Sequence, residues 1–118
     1  MGRLSTHVLD TANGIPASGV AIELYRLESE EKRHLLKSVM TNADGRTDTP
    51  LLEDNHCTAG SYELVFNIGD YFRAKTSASG DSLFLDRVPV RFQITDEHAR
   101  YHVPLVCSPW SYSTYRGS

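Results

Sequence analysis

The sequence predicts an all-β fold: two antiparallel sheets packed as a sandwich of about eight strands, with one short helix. Three observations predict it. Apolar residues recur at every second position through several short runs; in residues 20–27, Val20, Ile22 and Leu24 alternate with Ala21, Glu23 and Tyr25. Turn signals separate those runs, among them Asn13-Gly14, Pro16 and Asp44-Gly45. The chain has 118 residues, 40% hydrophobic and 23% charged, which suits one core without covalent staples. Residues 1–118 read as a single domain.

The elements follow in order. Residues 5–10, STHVLD, are a first strand, and TANGIPASG turns the chain. Residues 20–27 are a half-buried strand, and the charged stretch ESEEKRH is a solvated hairpin loop. A strand resumes over 34–41 and ends at NADGR, where Asp44-Gly45 supplies the positive φ of a tight turn. Residues 61–68 form another strand. Residues 69–76, GDYFRAKT, are the one helical stretch, and SASGDS after it reads as a flexible loop. In LDRVPVRFQI, Val88, Val90, Phe92 and Ile94 share one face. The next strand sets Tyr101, Val103, Leu105 and Cys107 against His102, Pro104 and Val106. SPWSYSTYRGS closes the chain as an extended segment.

Composition excludes several classes of function. Net charge is −3 with acids and bases interspersed, so no basic footprint suggests nucleic acid. No apolar run approaches a membrane span, and the first residues lack a signal-peptide core. The expectation is a cytoplasmic protein, with the periplasm less favoured. Cys57 and Cys107 are too few for a disulfide framework. Cys107 lies in an apolar run and reads as a small core residue. Cys57 lies in a polar loop beside His56; a catalytic thiol there is disfavoured, because its partner normally comes from elsewhere in the fold. No tight ligand spacing such as Cys-x-x-Cys or His-x-x-x-His is present, so neither a metal nor another cofactor is expected.

Period two also sorts the chemistry. His7 shares a face with Ser5 and Leu9, opposite Thr6, Val8 and Asp10. His102 shares one with Pro104 and Val106. These outward faces combine apolar residues with two histidines, the character of an interface or groove. Taken singly, each histidine reads as a solvated strand residue, Arg46 as a surface cation, and Tyr115 and Arg116 as strand-edge decoration. His34, His56 and His98 suggest no role. The final Tyr115-Arg116-Gly117-Ser118 is unusual for a merely solubilising tail, and suggests an end that is tied down.

Four blocks change this balance: LSTHVLD (4–10), GIPASGVAIELYRL (14–27), TNADGRTD (41–48) and YHVPLVCSPWSYSTYRGS (101–118). Together they resemble the 5-hydroxyisourate hydrolases, the enzyme branch of the transthyretin family. The similarity runs over essentially the whole chain, and the terminal Tyr-Arg-Gly-Ser is its most specific element, absent from transthyretin proper. Arg100 before Tyr101-His102, and the pair Val106-Cys107, depart from the usual pattern without touching the core motifs. The resemblance implies an eight-stranded sandwich with one short helix. It also implies a homotetramer, a dimer of dimers around a central channel, with sites where the dimers meet. It implies an active-site set of His7, Arg46, His102 and the terminal residues Tyr115, Arg116, Gly117 and Ser118.

The implied reaction is hydrolysis of the small cyclic amide 5-hydroxyisourate, the product of urate oxidation, to 2-oxo-4-hydroxy-4-carboxy-5-ureidoimidazoline. Histidine titrates near neutrality, so His7 or His102 suits the general base and the other a donor. Arg46 suits oxyanion stabilisation, and Arg116 either carbonyl recognition or locking of the tail. Tyr115 offers a flat ring and a hydroxyl to the substrate. Gly117 lets the backbone turn, and Ser118 is expected to position a histidine or the water rather than act as nucleophile. Two further readings stand beside this one: a transthyretin-like carrier that binds a small ligand without turnover, and a plain β-sandwich interaction module.

Overall fold

The computed structural model describes residues 2–75 and 83–118. Its strands are β1 (Arg3–Asp10), β2 (Ile15–Pro16), β3 (Ala21–Leu27), β4 (Arg33–Met40), β5 (Leu52–Glu53), β6 (Gly60–Asn67), β7 (Arg87–Ile94), β8 (Arg100–Cys107) and β9 (Tyr112–Thr114). A 3-10 turn covers Asp54–His56, and one helix, α1, spans Ile68–Lys75. The loop expected at SASGDS, and Thr76 at the end of the expected helix, lie outside the described residues.

Two sheets face each other. One runs β2-β1-β8-β9, with β5 also on β1; the other runs β4-β3-β6-β7. The fold is the sandwich that the alternation predicts. All strand pairs are antiparallel except β1 with β8, which run parallel from Arg3↔Arg100 to Asp10↔Cys107. Side-chain alternation fixes which face is buried but carries no information about strand direction. The two-residue strands β2 and β5 are too short to show a period, and sequence patterning missed both.

The core lies between the inner faces. Leu4 and Val8 of β1 and Tyr101, Val103, Leu105 and Cys107 of β8 are buried against Ile22, Leu24, Leu64, Phe66, Val88 and Ile94. Where an inner-face position is polar, it is satisfied. The Thr6 hydroxyl donates to the Val103 carbonyl at 2.7 Å. Asp10, fully buried, accepts from the Asn13 backbone, the Asn13 amide and the Tyr71 hydroxyl. The last of these ties α1 to the end of β1, and Ile68, Tyr71 and Phe72 bury the helix against the sandwich. Burial and this hydrogen bond push the Tyr71 hydroxyl well above its ordinary pKa.

Both cysteines are buried and free. Burial, with Asp10 nearby, raises the Cys107 thiol to about 12, so it behaves as a small hydrophobe. Cys57, expected in a polar loop, is instead covered and packs under Gly2. Burial and the Glu97 charge raise its pKa too, which removes the thiolate that catalysis needs.

Candidate functional site

The outward face of the sheet carrying β1 and β8 collects the candidate residues. In the parallel β1–β8 register Ser5 stands opposite His102 and His7 opposite Pro104, so both histidines project from one face as diagonal neighbours. Both rings are half-buried. The sheet is then widened on each flank by a single bridge: His7 pairs with Arg46, and His102 pairs with Gly117. Directly opposed residues in a bridge project to the same side. Arg46, which follows the turn after β4, is thereby placed beside His7.

The Arg46 loop is clipped to β1 by the Val8 N–H, which donates to the Gly45 carbonyl at 2.8 Å. Gly45 has φ of 73°, and a Cβ there would lie 2.5 Å from the Val8 carbonyl oxygen. Both its conformation and its closeness to β1 require glycine.

The tail closes the other flank. β9 pairs with β8 through Leu105↔Thr114, and the His102↔Gly117 bridge continues in the same register. The pairing opens at Tyr115 and Arg116, beside Pro104, which has no N–H to donate. The Thr114 hydroxyl satisfies the Pro104 carbonyl at 2.8 Å. The Gly117 N–H donates to the His102 carbonyl at 2.8 Å. A Cβ on Gly117 would stand 2.6 Å from Cδ2 of His102, so this glycine is what lets the tail lie against the ring.

Alternation along the tail sorts its side chains. Tyr115, on the histidine side with Gly117, is 59% exposed. Arg116 goes to the reverse side, where its guanidinium lies 4.4 Å from the centroid of the Tyr101 ring and donates to the Arg100 carbonyl. Of the two expectations for Arg116, the geometry realises the locking of the tail, through a ring and a carbonyl rather than a carboxylate. Ser118 is exposed and forms no hydrogen bond to either histidine. The residue that does is Ser5, whose Oγ lies 2.9 Å from Nδ1 of His102. Sequence reading passed over Ser5. Its place on the His7 face was readable, but its partner comes from a strand 97 residues away.

The electrostatics are dominated by desolvation and by the Arg46 charge. Desolvation lowers the pKa of His7, the Arg46 charge lowers it further, and the Asp44 backbone carbonyl and carboxylate push the other way. The pKa of His102 is lowered by desolvation first, then by Arg46 and His7. Both shifts favour neutral imidazole, so each ring holds a free lone pair at neutral pH. Arg46 forms no ion pair among the described residues. Neutral bases beside an unpaired guanidinium can take a proton from water and stabilise a developing oxyanion.

Among the described residues no group of three His, Cys, Asp or Glu is placed to hold a metal ion. The face is an open wall in the single chain. A cleft of about 540 Å³ lies elsewhere, bordered by Arg26, Lys37, Pro50 and His56.

The chain is similar over its length to known proteins. A profile described as "HIUase/Transthyretin family" matches residues 4–117. The chain is 57% identical over 117 residues to the 5-hydroxyisourate hydrolase 2 of Rhizobium meliloti, covering 99% of this chain and 97% of that one. It superposes on a crystal structure of (S)-allantoin synthase with a TM-score of 0.91 at 46% identity, covering 99% of this chain but spanning only 44% of that longer one. It superposes on sea bream transthyretin, solved in complex with thyroxine, with a TM-score of 0.85 at 25% identity, covering 98% and 94% of the two chains.

Proposed function

The chain belongs to the HIUase/Transthyretin family, and from that premise we propose that it is a hydrolase that opens the ring of 5-hydroxyisourate. The observation that carries this reading is the meeting of His7, Arg46 and His102 on one face, with both rings held neutral. Its identity to a named hydrolase, 57%, far exceeds its 25% identity to a thyroxine-bound transthyretin of similar fold.

In the proposed reaction a histidine accepts a proton from water as the water oxygen adds to a ring carbonyl carbon. Arg46 donates to the carbonyl oxygen as it becomes an oxyanion. Collapse of the tetrahedral species breaks the carbon–nitrogen bond, and the proton passes to the departing nitrogen. His7 suits the base, because it is bridged directly to Arg46 and its pKa is lowered by desolvation and by that charge. The protonated His7 then returns the proton to the departing nitrogen, while His102, with Nδ1 2.9 Å from the Ser5 Oγ, suits a hydrogen-bonding partner for the substrate. Tyr115, exposed on the same side of the tail as Gly117, suits a flat ring for the substrate to lie against. The product of such an opening is 2-oxo-4-hydroxy-4-carboxy-5-ureidoimidazoline, and the reaction has its place downstream of urate oxidation.

The open histidine wall further supports a homotetramer in which two such faces meet and enclose the substrate. A twofold arrangement makes each face meet its own copy. The test is direct. Purified protein is expected to accelerate the ultraviolet decay of 5-hydroxyisourate generated in situ from urate, and to run as a tetramer by light scattering. Tetrameric protein that leaves the decay at its spontaneous rate contradicts the hydrolase and favours a carrier.

A further inference from the structure

We infer that Asn42 is a positioning residue for Arg46: it fixes the backbone of the arginine at both its N–H and its carbonyl, and so sets where the guanidinium stands beside the histidines. This rests on the hydrolase reading, and adds to it a residue outside the histidine face. The Asn42 side-chain oxygen accepts from the Arg46 N–H at 3.2 Å and from the Asp44 N–H at 2.9 Å. The Asn42 backbone N–H donates to the Arg46 carbonyl at 2.7 Å, and its carbonyl accepts from the Gly45 N–H at 2.9 Å. The Asn42 amide nitrogen is in turn anchored by the Asp48 carboxylate at 3.0 Å. The whole turn is thus closed around one asparagine.

The consequence for chemistry follows from strand geometry. Arg46 meets β1 at a single bridge, to His7, rather than along a ladder. One bridge leaves the arginine free to twist about the strand edge unless its own loop holds it. With both backbone groups of Arg46 bound by Asn42, the Cα–Cβ direction is set, and the side chain leaves on the His7 side. The first part of the loop does not depend on this residue in the same way, because the Gly45 carbonyl is clipped separately to the Val8 N–H. Removing the Asn42 side chain therefore frees the Arg46 N–H and loosens the arginine, while the backbone bond to its carbonyl and the clip to β1 remain. Serine keeps a short side-chain acceptor for these N–H groups without setting a carboxylate against Asp48, and is the conservative replacement.

Two readouts test the inference. The first is turnover. Asn42→Ala is expected to lose on the order of 10- to 100-fold in kcat, as misplacement of a catalytic group does. KM should change less than kcat, and Asn42→Ser, which keeps a side-chain acceptor, should recover part of the activity. The second, independent of any substrate, is the titration of His7 followed by NMR. Arg46, Asp44 and His102 are the charged groups that bear on that ring. Withdrawal of Arg46 is expected to raise the His7 pKa toward its ordinary value. Should Asn42→Ala fail to fold, Asn42→Gln, which moves the same amide by one carbon, is expected to shift both readouts in the same directions. A kcat within threefold of the parent overturns the inference. So does a loss of activity with the His7 titration unmoved, which marks a merely structural residue. If the parent protein itself does not turn over 5-hydroxyisourate, the hydrolase reading fails, while the His7 titration still decides whether Asn42 places Arg46.

Discussion

Two outward faces of the same sandwich carry arginines and titratable groups, and they handle them oppositely. On the face of β3, β4, β6 and β7, Glu63 is buried between Arg33 and Arg91, and Arg33 also lies over the Tyr25 ring at 3.8 Å. Burial alone would raise the pKa of Glu63, but the hydrogen bonds and charges of Arg91 and Arg33 outweigh it and hold the carboxyl below its usual range. On the face of β1 and β8, His7, His102 and Arg46 meet, and among the described residues no carboxylate pairs with the arginine. The first cluster is complete in itself and behaves as structure. Among the described residues the second has no bound carboxylate, and the carbonyl oxygens of the proposed substrate would supply the missing partner. Charged groups on a sheet face therefore speak of function when they gather without satisfying each other.

Substitutions on the two faces should separate accordingly. The largest effect is expected from His7→Asn, which removes the proposed base. Turnover of 5-hydroxyisourate should fall by roughly 100- to 10,000-fold with the thermal midpoint little changed. An equal loss of stability would place His7 with the structural cluster instead.

Arg46→Gln comes next, at roughly 100- to 1000-fold in kcat. It also has a signature in pH. Both histidine pKa values are lowered by Arg46, so kcat/KM in the parent should fall on acidification only below the ordinary histidine value of 6.5. Removing the positive charge makes protonation easier, so the acid limb of the variant should move up toward that value. Because His7 and His102 also act on each other, the limb reports the pair rather than one ring. A limb that stays in place would separate the arginine from the histidines.

Gly117→Ala should act through His102. The added methyl meets the ring, which has to move, so activity is expected to fall by about 10- to 100-fold in a protein that still folds. Normal activity would mean that the tail is not held against the ring during turnover.

The smallest effect on activity, and a clear one on stability, is expected from Glu63→Gln. Turnover should be unchanged. The midpoint should drop by the equivalent of about 1–2 kcal/mol, a modest figure because both arginines are half in water. The lowered carboxyl pKa makes this contribution present at neutral pH and lost as pH falls through the lowered value. Stability of the variant should therefore depend less on acid than that of the parent. Lost activity with unchanged stability would dissolve the contrast between the faces.

Much of this contrast is legible in the sequence. Alternation in STHVLD and YHVPLVC places His7 and His102 on outward faces, and Asp44-Gly45 marks the turn that delivers Arg46. What alternation cannot give is the pairing of strands distant in sequence. That β1 and β8 are parallel neighbours, and that Gly117 lies on His102, are long-range facts. Ser5 and Asn42 escape notice for the same reason. A serine in a strand and an asparagine before a turn are ordinary until their partners are known. The contact of Arg116 with the Tyr101 ring is likewise a spatial fact that the motif alone does not reveal.

The central claim is that the histidine face performs hydrolysis. The most direct measurement generates 5-hydroxyisourate from urate and follows its ultraviolet decay with the parent protein and with His102→Asn. The account predicts rapid decay with the parent and a rate near background with the variant. Background decay with a folded, tetrameric parent, or full activity in the variant, would contradict it.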